Sequence, residues 1–505
     1  MAGRRLGGPR VSLIVVSNRL PVVVRKQALG GLDVEAGTGG LVTALRPVLR
    51  KRGGTWIGWA GESASDEEAT RRLLEGLGRS DGYDLVPVAL PDDERRGFYE
   101  AFANEAIWPL FHDLNTLARF RPEAWTLAQR VNRRFAAKVL ERAKPGDLVW
   151  VHDYHLIGAA RAMKEAGFTG PIAFFLHIPF PPLDLFLKLP WRSEVLTALL
   201  AFDLVGVQTM RDRANLLQCV RALIPDAEIH GKGTATSVVL DGRVIRLGAF
   251  PIGIDFEEFA GGARAPGVIR KAESIRRDEA GRRILLSVDR LDYTKGLTHR
   301  LDAFAMMLER LPELRGKVTL MQFIIPSRGG LAPYAELKRE LERRVGELNG
   351  RFTRSGWVPV HHNYRAIPRE KLLAYYRAAD IALVTPLKDG MNLVCKEYCA
   401  SRVDGDGVLV LSEFAGAAAQ LAGGALLVNP WDAAGFASAM SRAVRMSEDE
   451  RRARMRKLRR AVREHDVATW ADAFLRAAFS LDLDDFPRGV PPEPQVEELH
   501  GLPAD

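Results

Sequence analysis

The chain has 505 residues, 47% hydrophobic and 27% charged, with a formal net charge of +9. That length predicts more than one domain at roughly 100–200 residues each, and the composition excludes a disordered or membrane-spanning chain. Three cysteines in so long a chain exclude a disulfide framework. Cys395 and Cys399 stand four apart on one predicted helix face and read as small buried hydrophobes. The N-terminus, MAGRRLGGPR, is basic but lacks a signal peptide's apolar region and small-residue cleavage site, so the expected location is cytoplasmic. Positive charge is scattered along stretches such as ERRARMRKLRRAVRE and AELKRELERR. These read as solvated helix faces, and neither nucleic acid nor membrane is an expected partner.

The first predicted strand is VSLIVVS, and Arg19 follows it in SNRLPV. Gly37, Gly39 and Gly40 then form a flexible loop before the helix LVTALRPVL. Such a loop suits an anionic ligand, although it is neither a G-x-G-x-x-G fingerprint nor a P-loop. Trp56, Trp59, Tyr99 and Trp108, in GTWIGWAG and GFYEAFANEAIWPLFH, read either as sugar platforms or as core. The strand DLVWV leads into HDYHL, and IAFF leads into HIPFPP. His152, Asp153, His155 and His177 therefore fall in loops at strand ends. No H-E-x-x-H helix accompanies them, so substrate hydroxyls are their expected partners rather than a metal.

After the strand DLVGVQT, the stretch from PIGID to about Gly281 reads as a junction. The strand series restarts near Arg282 with RILLSVD, VTLMQFII, DIALVTP, GVLVLSE and ALLVNP. Arg290 and Lys295 leave the end of the first of these, where two cations could neutralise a diphosphate leaving group. Leu337, Leu341, Val345 and Leu348 mark one face of a long helix. In PLKDGMNLVCKEY a helix is predicted to begin near Met391. Its N-terminus suits a diphosphate, and Gly390 permits close backbone approach. Asp389 and Glu397, eight apart, suit one acid near a transferred sugar and one on ribose hydroxyls. The alternative is two acids of an ordinary helix. Val467, Trp470 and Phe474 form a last helical stripe, and the acidic, Pro-rich residues 481–505 read as a loose tail.

Val/Ile/Leu-rich strands alternating with amphipathic helices predict an α/β protein. The expected architecture is two doubly wound, Rossmann-like domains facing a central cleft. The expected boundaries are 11–252 and 253–460, with a helix over 461–480 packing back on the first domain.

Taken together, VSNRLPV, GGL, WIGWAG, IWPLFH, VHDYHL, FFLHIPFP, LPWR, PIGID, RLDYTKG, PSRGG, DGMNLVCKEY and LSEFAGAA occur in the order found in the trehalose-6-phosphate synthases. The chain resembles these retaining glycosyltransferases of the two-Rossmann (GT-B) type from about Leu13 to about Trp431. The resemblance implies that Arg19, Tyr99, Trp108, Asp153 and Arg328 hold the acceptor, glucose 6-phosphate. It implies that Gly39 and Gly40 approach the donor diphosphate and that Arg290 and Lys295 grip it. Asp389 would contact the donor glucose, with Gly390, Met391 and Asn392 in the same loop. Leu393 and Val394 would meet the nucleotide through backbone, Glu397 would hold the ribose, and His177 would sit near the reacting sugar.

A nucleoside-diphosphate glucose, with UDP-glucose the expected one, would then be a substrate, and neither cofactor nor metal is expected. The stretches HIPFPPLDLFLKLPWRSEVL and PVHHNYRAIPREKL depart from the family's usual wording near the acceptor and the base respectively. Phosphatase activity is not expected. An assembly of identical chains is compatible with this reading. The rivals are a sister transferase acting on another phosphorylated acceptor, such as glycerol 3-phosphate, and a non-catalytic sugar-phosphate-binding subunit. Intact Arg290, Lys295, Asp389 and Glu397 argue against the second.

Overall fold

The computed structural model describes residues 12–26, 32–37, 40–61, 67–231, 235–327, 332–480, 483, 486 and 487. The chain divides into two compact units, one up to Phe250 completed by residues from Ala471 onward, the other from Pro251 to Trp470.

The first unit holds β1 (Leu13–Arg19), the hairpin β2 (Val22–Lys26) and β3 (Leu32–Ala36), then β4 (Thr55–Trp59) and β5 (Asp84–Pro87). It continues with β6 (Leu148–His152), β7 (Ile172–Phe175), β8 (Leu204–Val207), β9 (Glu228–His230), β10 (Ala235–Leu240) and β11 (Arg243–Ala249). Apart from the hairpin they form one sheet in the order β5-β4-β1-β6-β7-β8-β11-β10-β9. Pairing is parallel from β5 to β11 and antiparallel from β11 to β9.

The second unit holds β12 (Arg283–Arg290), β13 (Val318–Ile325), β14 (Val360–Tyr364), β15 (Ile381–Val384), β16 (Val408–Ser412) and β17 (Leu426–Val428), ordered β14-β13-β12-β15-β16-β17. Every pair in it is parallel. Central strands are buried along their whole length, as in LVWVH of β6 and VLVLS of β16. Burial on both faces is why they read as continuous apolar runs.

Within the parallel part of each sheet the strand order reverses once, between β1 and β6 in the first and between β12 and β15 in the second. In open α/β sheets ligands bind beyond the strands' carboxyl ends at such a reversal. Arg19 ends β1 and His152 ends β6, while Arg290 ends β12 and the chain after β15 runs into Asp389.

Several sequence expectations need correction. The stretch from PIGID to Gly281 is not a bare junction: Phe256–Ala263 and Pro266–Asp278 are helices of the second unit that bury Phe256, Phe259, Val268 and Ile275. Its charged residues belong to amphipathic faces, which disguised them as a linker. The helix expected over 461–480 is two pieces, the end of Glu448–Glu464 and then Val467–Phe479. Phe474 stacks on Trp150 at 4.6 Å and meets Phe250 edge-on at 5.0 Å. Phe486, read as part of a loose tail, is buried against Phe250; the rest of 481–505, save Leu483 and Pro487, lies outside the described residues. Leu341, Val345 and Leu348 are buried in helix Ala332–Phe352, with Tyr334 and Phe352 added to the face. No described helix is long and apolar enough to cross a membrane.

Candidate functional site

In the second unit the sequence-predicted charges converge at the sheet's reversal. β12 delivers Arg290 at its exposed end. One 3-10 turn, Tyr293–Lys295, then brings Lys295 inward, started by Asp292, whose carboxylate accepts from the Thr294 amide at 3.0 Å. Gly296 follows at φ 62°, and a Cβ there would lie 2.4 Å from the Thr385 carbonyl oxygen, so the turn can approach β15 only without a side chain. Beneath it Arg300, fully buried, donates to Asp289 at 2.7 Å, to Thr385 Oγ1 at 3.2 Å and to the Lys295 carbonyl at 3.4 Å.

Lys295 Nζ donates to Asp389 Oδ2 at 2.6 Å. The same oxygen accepts from Asn392 Nδ2 at 3.1 Å. Asn392 sits at φ 73°, a conformation its short polar side chain tolerates. Its Oδ1 caps helix Leu393–Ser401 by accepting from the Val394 amide at 3.1 Å. The helix therefore starts two residues later than Met391, because Asn392 is the cap and Met391 is buried beside Gly390 in the loop. Backbone bonds from Asp389 to Phe414 and from Ala417 to Met391 fix that loop.

At the fifth residue of the helix, Glu397 accepts a hydrogen bond from the Tyr376 hydroxyl at 2.8 Å. Burial raises the Glu397 carboxyl, while the Tyr376 hydroxyl acts in the opposite direction. Cys395 and Cys399 are free and buried, and burial pushes the Cys395 thiol up to about 12.

In the first unit Arg19 closes β1 with its guanidinium 4.8 Å from the Trp59 ring centroid and 5.4 Å from that of Tyr99. Tyr99 in turn stacks on His155 at 5.9 Å and 9°. Trp56 is core: its indole donates to Ser17 Oγ at 2.7 Å, and Ser17 Oγ donates to the Arg19 carbonyl at 2.6 Å. Trp108 is buried against His112 and Tyr154.

Asp153 follows β6 at φ 73° and accepts through Oδ1 from the backbone amides of Tyr154 at 3.1 Å and His177 at 3.2 Å. His177 Nε2 lies 3.1 Å from His152 Nδ1. Gly40 opens helix Gly40–Arg52, whereas Gly39 and Arg328 lie outside the described residues. Among the described residues no group of three or more His, Cys, Asp or Glu side chains is placed to share a metal ion.

The two imidazoles are neutral at physiological pH. Burial pushes His177 down to about 3 and His152 well below its ordinary range, with His177 adding a smaller effect on His152. One must donate and the other accept, so each fixes the other's tautomer. The unfolded chain takes up these protons near ~6.5 and the folded chain refuses them. Stability is therefore expected to fall as pH drops below that value and to keep falling towards 3. Between pH 8 and 5 the pair's NMR resonances should stay flat. An inflection near 6.5 from either ring would contradict the neutral pair.

Arg300, Tyr376 and His152's pairing with His177 were not singled out as site features from sequence. The first two are ordinary members of helical stretches, and only the spatial arrangement reveals them.

The profile of glycosyltransferase family 20 matches residues 11–479. A trehalose-6-phosphate synthase of Mycobacterium sp. (strain JLS) is 43% identical over 479 residues, covering 94% of this chain and 97% of that protein. A bifunctional trehalose-6-phosphate synthase/phosphatase of Thermoproteus tenax is 41% identical, and the match spans 93% of this chain but 63% of that longer protein. Among solved structures, an α,α-trehalose-phosphate synthase (UDP-forming) of Burkholderia xenovorans in complex with glucose 6-phosphate superposes with TM-score 0.83 at 34% identity, covering 93% of this chain and all of that one. The E. coli protein bound with UDP-2-fluoro glucose matches with TM-score 0.83 at 33% identity, covering 93% and 99%.

Proposed function

The chain belongs to glycosyltransferase family 20 and is an enzyme, and from that premise we propose that it transfers glucose with retention from UDP-glucose to the anomeric hydroxyl of glucose 6-phosphate. The products are α,α-trehalose 6-phosphate and UDP. The observation that carries this reading is the junction of Lys295, Asp389 and Asn392 at the reversal of the second sheet, with Lys295 bonded to Asp389 at 2.6 Å. It is supported by the glucose 6-phosphate bound to the Burkholderia relative and the UDP-2-fluoro glucose bound to the E. coli one.

In this reading Arg290, Lys295 and the amides opening helix Leu393–Ser401 stabilise the charge that develops on the leaving diphosphate. The leaving phosphate helps take the proton of the incoming hydroxyl. Asp389 is held by Lys295 and Asn392 to meet the donor glucose, and Glu397 holds the ribose. Arg19, Tyr99, Trp108, Asp153 and Arg328 take the acceptor, and His177 stands near the reacting sugar. Protein cations and amides replace a metal in this scheme. Incubating the protein in EDTA with UDP-, GDP- and ADP-glucose against glucose 6-phosphate, glucose and glycerol 3-phosphate tests it. A product that NMR shows to be α,α-linked and phosphorylated is expected. Absence of that product with every donor would sink the reading.

Arg19 gives a sharper test of the acceptor. Its guanidinium is braced by Trp59 and Tyr99, and its planar fork suits a phosphate. Arg19→Ala should raise the KM for glucose 6-phosphate roughly ten- to a hundredfold with donor KM nearly unchanged. Equal losses with glucose and glucose 6-phosphate would show that Arg19 does not read the phosphate.

A further inference from the structure

Helix Leu393–Ser401 carries a cation that none of the roles above uses. Lys396 is 1% exposed. Its ammonium donates to the Ile252 carbonyl at 2.7 Å and to Gln420 Oε1 at 2.6 Å. Both acceptors are neutral, and no ion pair joins Lys396 to any described carboxylate. A buried charge without a counter-charge is strongly unfavourable, and an apolar side chain of similar length would serve packing better.

The position of the ammonium suggests what it is for. From the fourth residue of this helix the lysine stem ends between Ile252 and Gln420, and it reaches the loop Asp389–Asn392 only through the segment that carries Gln420. The segment that receives it is tied to the same loop. Asp389 N donates to Phe414 O at 3.2 Å, Gly416 N to Asp389 O at 3.1 Å and Ala417 N to Met391 O at 3.0 Å, and Gln420 comes three residues later. Ile252 is the second residue of the second unit, and two residues on Ile254 O accepts from Val467 N at 3.0 Å.

We propose that Lys396 is a further cation of the donor site: without touching the donor, its buried ammonium braces the loop Asp389–Asn392 and finds its counter-charge in the nucleoside diphosphate bound there. The proposal rests on the donor reading given above. Burial brings this lysine down to about 8, so arrival of a diphosphate should draw a proton onto it. The titratable groups around it are few. On its own helix Cys395 is pushed up to about 12, and Glu397 is raised but bonded to Tyr376. From helix Arg369–Ala378 comes Tyr376, pushed well up. Helix Glu448–Glu464 presents Arg459, bonded to the Cys399 and Ala400 carbonyls. Helix Phe256–Ala263 presents Glu258, whose charge reaches Glu397. The segment from Gly416 to Leu421 offers only the neutral Gln420.

Titration calorimetry of UDP at about pH 8.5, in buffers of different ionisation enthalpy, tests this. Wild type should take up as much as about half a proton on binding. Lys396→Met should abolish the uptake and raise the UDP Kd about tenfold. Lys396→Arg, whose charge does not titrate there, should bind more tightly than Lys396→Met with no uptake. Wild-type binding without proton uptake would overturn the proposal and leave the donor reading standing. Uptake that persists in Lys396→Met, or an unchanged Kd in that variant, would do the same. Failure of wild type to bind UDP, GDP or ADP would sink both.

Discussion

Replacing Arg290 or Lys295 with alanine is expected to lower turnover by about 100- to 1000-fold, the usual effect of deleting one group that stabilises transition-state charge. The two variants should differ in their side effects. Arg290 stands at the exposed end of β12, so its loss should lower the melting temperature less than loss of the buried Lys295. Lys295 is 7% exposed and bonded to Asp389, so its loss also strips a carboxylate of its partner and should weaken donor binding. Steady-state kinetics beside calorimetry separates these effects. Near-normal turnover in both folded variants would remove these cations from the mechanism.

The largest stability effect should come from Arg300→Ala. Arg300 is 0% exposed and pairs with Asp289 at 2.7 Å. Removing one partner leaves a buried charge uncompensated, which costs about 3–5 kcal/mol. For a unit of this size that lowers the melting transition by on the order of ten degrees. Because the chain has two units, the shift should appear in the transition that carries the second. Arg300→Met with Asp289→Leu, which removes both charges, should recover much of the loss. A melting temperature within a degree of wild type for Arg300→Ala would show that the pair is not holding the β12 turn to β15.

Much of this architecture was legible in the sequence because parallel strands buried on both faces write themselves as unbroken apolar runs. β1, β6, β7, β8, β12, β13, β15, β16 and β17 all show it. β4 and β14 do not. TWIGW opens on a half-buried threonine and is then broken by a glycine, and VHHNY lies at a sheet edge where only Val360 is fully buried. The residues proposed for the donor were legible because they cluster within two short segments. Their bracing was not, since Arg300, Tyr376 and Lys396 act through partners as far as 144 residues away in sequence. The helix start near Met391 was misread because Asn392, with its positive φ, takes the capping position.

The C-terminal helix has a consequence for how the protein is made. Phe474 and Phe486 close the first unit's core against Trp150 and Phe250, yet the whole second unit, Pro251–Trp470, is translated between them and the rest of that core. At about 5–20 residues per second, the first sheet therefore waits tens of seconds on the ribosome with an apolar seam uncovered. The unit begun first is finished last, and during that wait Trp150, Phe175 and Phe250 form a surface on which a nascent-chain chaperone could act.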